Sequence, residues 1–384
     1  MPSNKVLFVN MYSIYGGAEK YLENIIYQFS KNDSKYEPLL LTAKGRIYDA
    51  FKDKIDIFCS VVTDLDFKRN ILRIFLIPYF IFSSFICFFR IFSITKNIKI
   101  IYANNFYSAF YSLLFAKIKN IPLIFHYHGI GEKQTKSKIY RCLISFLGNF
   151  SDIVIVPGDI TRQQLIQFGI TKTLIKVSPN GINLNEFVVS DSEKTKLRKE
   201  IRAKYKINDN QTLFLQVAVV IKAKGQSLIV DLFKRNPEKF SNIKFLFVGE
   251  MKDSSININN FEDKDSTVRF IGFHEDIRPF LCACDVFILP SRSEVFPVSL
   301  IEAMAYGKPS IVFDVGGIRD LLSDKEAILI KEKDKDALLS AISIMANDYK
   351  KREEMSINAQ NKSFNYSIEK TYDLISKCFN QLLT

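Results

Sequence analysis

The chain has 384 residues, more than one hydrophobic core usually organises, so two domains are expected. Apolar residues make up 47% and charged residues 24%, a balance that excludes an intrinsically disordered chain. The net charge of +12 is uneven: residues 1–178 hold 23 Lys and Arg against 12 Asp and Glu, and residues 179–384 hold 30 against 29.

The excess in the first half suits an anionic partner; a lysine-rich composition without one is the plain alternative. The N-terminus runs straight into Val6-Leu-Phe-Val9 with no secretory pattern. Six cysteines, at 59, 87, 142, 282, 284 and 378, are scattered, and Cys282-Ala-Cys284 lacks metal-site spacing. Free thiols and a cytoplasmic protein are the reading.

Short β-branched or aromatic runs alternate with helical patterns, which predicts parallel βαβ construction. In the first half the strand candidates are 6–9, 38–41, 98–102, 123–127 and 153–156; in the second they are 213–217, 244–248, 268–270, 286–289 and 310–313. The turn Ser178-Pro-Asn-Gly-Ile182 is the expected joint, giving domains at 1–178 and 179–366. A polar helix over 191–205 follows it. The last helix, over 367–384, has no strand after it and is expected to cross back to the first domain.

The run 74–89, "IFLIPYFIFSSFICFF", has no charge. It is short of the about 20 residues that span a bilayer, and Pro78 interrupts it. A buried crossover helix or an interfacial membrane helix remain open for it.

In 291–309, "SRSEVFPVSLIEAMAYGKP", Glu294 and Glu302 stand eight positions apart. Strand 286–289 delivers Glu294 to a loop at its C-terminal end, where ligands bind in doubly wound sheets. Pro297 suits the first turn of a helix, and Gly307 its end. The N–H groups of Val298 and Ser299 would then face an anion at the helix N-terminus. Acidic side chains beside a phosphate make sense when they accept hydrogen bonds from hydroxyls. A sugar and a ribose flanking a diphosphate supply those hydroxyls, so the pattern suits a sugar nucleotide; two surface acids on a solvated helix are the bland reading.

This stretch resembles the double-glutamate motif of retaining glycosyltransferases of the GT-B class, in glycosyltransferase family 4. "YGGAEKYL", "PLIFHYHG", "PNGIN", "GFHEDIRPFLCACDVFILPS" and "VGGIRDLL" resemble further motifs of that family along essentially the whole chain. The resemblance implies an α/β fold of two Rossmann-like domains with parallel sheets facing across a cleft. It assigns Glu294 to the donor-sugar hydroxyls, Glu302 to the ribose, and the backbone at Phe296, Val298 and Ser299 to the sugar and diphosphate. His128 falls where the family has a histidine beside the sugar, though a core histidine is the plainer reading. Gly16 and Gly17 open a helix so that backbone can approach the donor phosphate, or form only a tight turn. Glu19, on the same helix start, is left out of the site.

Lys224 of Lys224-Gly225 would neutralise the leaving diphosphate. The arginine that the family usually carries five residues before is Val219 here, with Lys222 as a candidate substitute, and Asn183 stands where Asp is common. Losing one cation would remove about 2–4 kcal/mol of transition-state stabilisation. A catalytically impaired scaffold that binds nucleotide sugar or glycan without turnover is therefore the alternative.

The implied reaction is retaining glycosyl transfer from a nucleoside-diphosphate sugar, UDP by frequency among relatives, with no metal and no other cofactor. The implied acceptor is a glycan, lipid-linked in many relatives, in cell-surface polysaccharide or lipopolysaccharide synthesis. The basic first half and the run 74–89 add peripheral contact with an anionic membrane, at its inner face. Asp64-Leu-Asp66 fits the letters of a metal-dependent transferase, but three-letter motifs recur by chance. The loop before Ala18 lacks the Gly-x-Gly-x-x-Gly of a dinucleotide oxidoreductase, and no recognition motif supports nucleic-acid binding.

Overall fold

The computed structural model describes residues 4–11, 16–32, 35–59, 89, 92, 97–129, 136–253 and 267–384. Asp64, Asp66 and the run 74–89, apart from Phe89, lie outside the described residues. The chain forms two compact units, Met1–Gly181 with Ile368–Thr384, and Ile182–Ser367.

In the first unit the described strands are β1 (Asn4–Asn10), β2 (Tyr36–Thr42), β3 (Asp56–Cys59), β4 (Ile98–Ala103), β5 (Leu123–His126), β6 (Ile153–Val156) and β7 (Leu174–Val177). They form one parallel sheet in the order β3-β2-β1-β4-β5-β6-β7. Successive side chains on a strand leave opposite faces. Hence Leu7 and Val9 join one buried layer with Phe115 and Ile144, while Val6 and Phe8 join another with Tyr21, Ile25 and Phe29.

The second layer receives the C-terminal helix, Ile368–Leu383. Ile368, Ile375, Cys378 and Phe379 are buried in it, and the Phe379 ring stacks 5.1 Å from Phe29. The helix thus belongs to the first unit. Its Thr371 hydroxyl donates to Pro179 O at 3.1 Å, which keeps the Pro-Asn-Gly turn with that unit. The division consequently falls between Gly181 and Ile182, three residues beyond Ser178. Ile182 N–H donates to Tyr366 O at 3.0 Å, so the outgoing and returning strands of the joint run side by side.

The second unit holds β8 (Thr212–Val217), β9 (Ile243–Val248), β10 (Val268–Phe270), β11 (Val286–Leu289), β12 (Ser310–Phe313) and β13 (Ala327–Ile330). Its parallel order is β10-β9-β8-β11-β12-β13. In both sheets the winding direction reverses, between β1 and β4 and between β8 and β11. Such reversals open a crevice at the carboxyl ends of the two strands.

Three strands fall outside the predicted set: β3, β7 and β13. All lie at sheet edges, where one face or flank is left to solvent and the uninterrupted apolar run of a central parallel strand is not needed. In β7, Leu174 and Lys176 are exposed while Ile175 and Val177 are half-buried.

Candidate active site

The reversal of the second sheet gathers three loops. After β11, Pro290–Phe296 leads into helix Val298–Ala305, with Pro297 in extended backbone as its N-cap. Pro297 therefore stands one place ahead of the first helical turn where the sequence put it. The helix N-terminus leaves the N–H groups of Val298 and Ser299 without acceptors inside the helix. At the other end Gly307, at φ 63°, closes the helix with Gly307 N–H to Met304 O at 2.8 Å and Lys308 N–H to Ala303 O at 2.9 Å. This paired closure is the left-handed glycine stop expected from the sequence.

Glu294 is 7% exposed, and its Oε1 accepts from Lys224 Nζ at 2.7 Å, a charge-assisted bond across the reversal. Lys224 ends the short turn Lys222–Lys224 after β8. Gln216 Nε2 donates to Lys224 O at 2.8 Å, and Arg292 N–H donates to Ala223 O at 2.8 Å, which ties the β8 and β11 loops together. Gly225 then takes the left-handed conformation at φ 80°; a Cβ there would sit 2.1 Å from Pro290 O. The Lys-Gly pair thus places a cation and lets two loops touch.

The third loop follows β12. Gly317 N–H donates to Glu294 O at 3.1 Å. A Cβ on Gly316 would come 1.9 Å from Glu294 O, and one on Gly317 would come 1.9 Å from Val295 O. Sequence reading quoted this glycine pair as a motif without giving it a place in the site. Gly316→Ala combines left-handed strain at φ 53° with that overlap, and is expected to destabilise the unit by about 1–3 kcal/mol. Gly272→Ala, at φ 75° with open space beside it, carries the strain alone. Melting temperatures compare the two; an equal loss would show that the contact with Glu294 adds nothing.

Glu302 is buried as the fifth residue of its helix. The Phe296 ring is buried against Tyr366 at 5.6 Å. Val219 is half-buried, and its carbonyl accepts from Gln226 Nε2 at 3.2 Å. Lys222 is exposed, with its N–H bound to Asp253 Oδ2 at 3.2 Å. Ser291, three residues before Glu294, is buried with a hydroxyl that has no hydrogen-bond partner among the described residues. Nothing in the spacing of the motif singles it out.

A separate polar cluster sits at the reversal of the first sheet. Gly16 precedes helix Gly17–Asn32, and its N–H is taken by Glu19 Oε2 at 3.1 Å. The Gly16 N–H is thus engaged at the helix start by a side chain three residues on. An acid in the first helical turn satisfies an otherwise orphaned donor at close range.

His126 ends β5, and His128 lies two residues on. Their rings stack at 3.8 Å, with the Tyr21 ring edge-on to both. His126 Nδ1 meets Tyr102 OH at 2.6 Å, and His128 Nε2 meets Asn104 Oδ1 at 3.0 Å. Asn104 Nδ2 donates to Ala18 O and to Asn10 Oδ1, both at 3.3 Å. A carbonyl only accepts, so the amide is oriented with Oδ1 towards His128. This network assigns the proton of His128 to Nε2 and leaves Nδ1 as the lone-pair nitrogen. Burial pushes the His128 pKa down to about 3, and burial with the neighbouring His128 pushes His126 well below the usual histidine range. Both rings are neutral at physiological pH.

Two parallel α/β units, each with polar groups gathered at its strand-order reversal, define a protein of the doubly wound, nucleotide-binding class. The particular family follows from comparison. Residues 15–186 match the family described as Glycosyltransferase Family 4, and residues 198–362 match Glycosyl transferases group 1. The chain belongs to glycosyltransferase family 4, and its fold is of the GT-B type. It is 26% identical over 277 residues to the UDP-Gal:alpha-D-GlcNAc-diphosphoundecaprenol alpha-1,3-galactosyltransferase of Escherichia coli, covering 69% of this chain and 70% of that protein. It is 27% identical over 295 residues to the N,N'-diacetylbacillosaminyl-diphospho-undecaprenol alpha-1,3-N-acetylgalactosaminyltransferase of Campylobacter jejuni, covering 73% and 76%. Among solved structures, Anabaena Alr3699/HepE in complex with UDP superposes with a TM-score of 0.79 at 22% identity, over 98% of this chain and all of that one.

Proposed function

We propose that this glycosyltransferase moves a sugar from UDP to a lipid-linked saccharide, with retention at the anomeric carbon, in building a cell-surface polysaccharide or lipopolysaccharide. The observation that carries the reading is the Lys224–Glu294 pair, 2.7 Å apart at the reversal of the second sheet and beside the start of helix Val298–Ala305. A cation and a helix N-terminus suit a diphosphate, and a carboxylate suits the hydroxyls of the attached sugar. In this reading Lys224 and the N–H groups of Val298 and Ser299 hold the diphosphate, without a metal. Glu294 and the backbone at Phe296 hold the sugar, and Glu302 the ribose. His128 contributes a neutral imidazole, and Gly16 and Gly17 a backbone approach at the start of their helix. The donor is assigned to the second unit and the acceptor to the first.

The diphosphoundecaprenol acceptors named for the Escherichia coli and Campylobacter jejuni relatives support a lipid-linked acceptor, and UDP in the Anabaena structure supports the nucleotide. Among the described residues no helix is long and apolar enough to cross a membrane. Peripheral contact with the inner face of the cytoplasmic membrane, through the basic first unit, brings such an acceptor within reach.

A thermal-shift panel of UDP-, GDP-, ADP- and dTDP-sugars tests the donor. A UDP-sugar at 100 times its dissociation constant is expected to add about 2.7 kcal/mol of stability, with EDTA present as without. A response to another nucleotide alone would replace UDP, and a response that EDTA removes would overturn the metal-free assignment. The anomeric configuration of the product, read by NMR, tests retention. Val219 in place of an arginine favours one second reading, a scaffold that binds without turnover. Binding of a nucleotide sugar with no release of nucleoside diphosphate to any acceptor would select it.

A further inference from the structure

Helix Lys138–Phe150 carries two apolar faces. One, with Ile144 and Leu147, is buried in the first unit. The other holds Ile139, Leu143, Phe146 and Phe150, which are 73%, 36%, 49% and 49% exposed. At 3.6 residues per turn these four fall within an arc of about 60°. The Phe146 and Phe150 rings lie 4.7 Å apart, so the stripe is continuous at its C-terminal end. An ordinary surface helix turns one apolar stripe inward and a polar face outward. The helix Phe106–Lys119, with residues in the same buried layer, also exposes Leu114 and Ile118.

The two helices carry only basic charge. Neither helix contains an Asp or Glu, and residues 97–150 hold seven Lys and Arg against Glu132 alone. Exposed apolar side chains on a basic ground repel a second copy of the same face and suit a surface that is apolar inside and anionic outside. We propose that helix Lys138–Phe150 is the element by which the protein docks in the plane of an anionic lipid bilayer, with Phe146 and Phe150 entering the boundary of the acyl chains. This deepens the proposed function by giving its membrane contact a place, on residues distinct from the run 74–89.

The test is flotation of the full chain with vesicles of phosphatidylglycerol and phosphatidylethanolamine, and with phosphatidylcholine vesicles as the uncharged comparison. Wild-type protein is expected on the anionic vesicles at low salt and much less on phosphatidylcholine. Phe146→Ser with Phe150→Ser should lower the partition coefficient by at least about tenfold, since two aromatic side chains lose their burial. Lys138→Glu should weaken binding at low salt and matter little at 1 M, where the screening length is about 3 Å. All three residues are exposed, and an unchanged melting temperature checks folding. Binding of the double-Ser variant equal to wild type would overturn the proposal and assign docking elsewhere, as would absence of wild-type binding to anionic vesicles. A wild-type dimer in sedimentation that the double-Ser variant abolishes would make the face a self-association surface instead. The thermal shift with UDP-sugar is read on the same variants. Vesicle binding without a nucleotide-sugar response would sink the function proposed above and leave this one standing.

Discussion

Glu294→Gln is expected to abolish sugar transfer while tightening the binding of free UDP. Glu294 is almost wholly buried and gives Lys224 its acceptor at 2.7 Å. A diphosphate entering the site must draw that lysine away or come close to the carboxylate as well. Two unit charges of like sign about 4 Å apart repel by about 4 kcal/mol at an effective dielectric constant of 20. Glutamine keeps the shape and an oxygen for Lys224 but removes the repelling charge. UDP lacks the donor sugar that the proposed function gives to Glu294, and should therefore bind on the order of tenfold more tightly. In the proposed function the carboxylate serves the donor sugar, so its loss is expected to lower kcat by about 10³-fold or more. Lys224→Met separates the two roles: both UDP affinity and kcat should fall, the latter by about 10²–10³-fold. Calorimetry with UDP and a transfer assay on both variants read these signs. Wild-type turnover in Glu294→Gln would remove Glu294 from the mechanism, and weaker UDP binding there would remove the competition.

The segment around Glu294 was legible because several local signals agree. The buried strand β11 is an uninterrupted apolar run, the helix after it has apolar residues at helical spacing, and Gly307 stops it in the one backbone region that favours glycine. The position of Lys224 was legible from its glycine, whose left-handed turn the close approach of Pro290 requires. The 2.7 Å pairing of Lys224 with Glu294 was not, because 70 residues separate the two and only the order of β8 and β11 brings them together. The glycine pair 316–317 shows the same limit: two glycines in sequence read as a turn, and their role as the floor under Glu294 appears only with the backbone oxygens in place. At Gly16 a glycine before a helix reads as a place where backbone can approach a phosphate, and the bond its N–H makes was not legible. A carboxylate three residues on is near enough to accept it.

Acid is expected to destabilise the first unit well before its carboxylates are protonated, through the stacked pair His126 and His128. Both are neutral in the folded protein: burial holds the His128 pKa at about 3, and burial and the adjacent His128 ring hold His126 far below its ordinary value. The groups facing them are Tyr21 from helix Gly17–Asn32, Tyr102 from β4 and Asn104 beyond it. None supplies a negative charge to a protonated imidazole. In the unfolded chain both histidines regain a pKa near 6.5. The folded state then binds fewer protons than the unfolded one, so stability is fully present above about pH 6.5 and is lost as pH falls below it. Each histidine costs about 1.4 kcal/mol per pH unit over that window, until the pH approaches its folded pKa. His128, held at about 3, alone removes about 2 kcal/mol between pH 6.5 and 4.5, and His126 adds a loss of the same sign. Urea midpoints between pH 7.5 and 5 read the effect ahead of most carboxylate titration. His126→Leu, close in volume, should lower stability at pH 7.5 by breaking the bond to Tyr102, yet reduce the slope with pH. A slope unchanged in that variant, or histidine ring signals that titrate near pH 6.5 in the folded protein, would show that the pair is not held neutral by its burial.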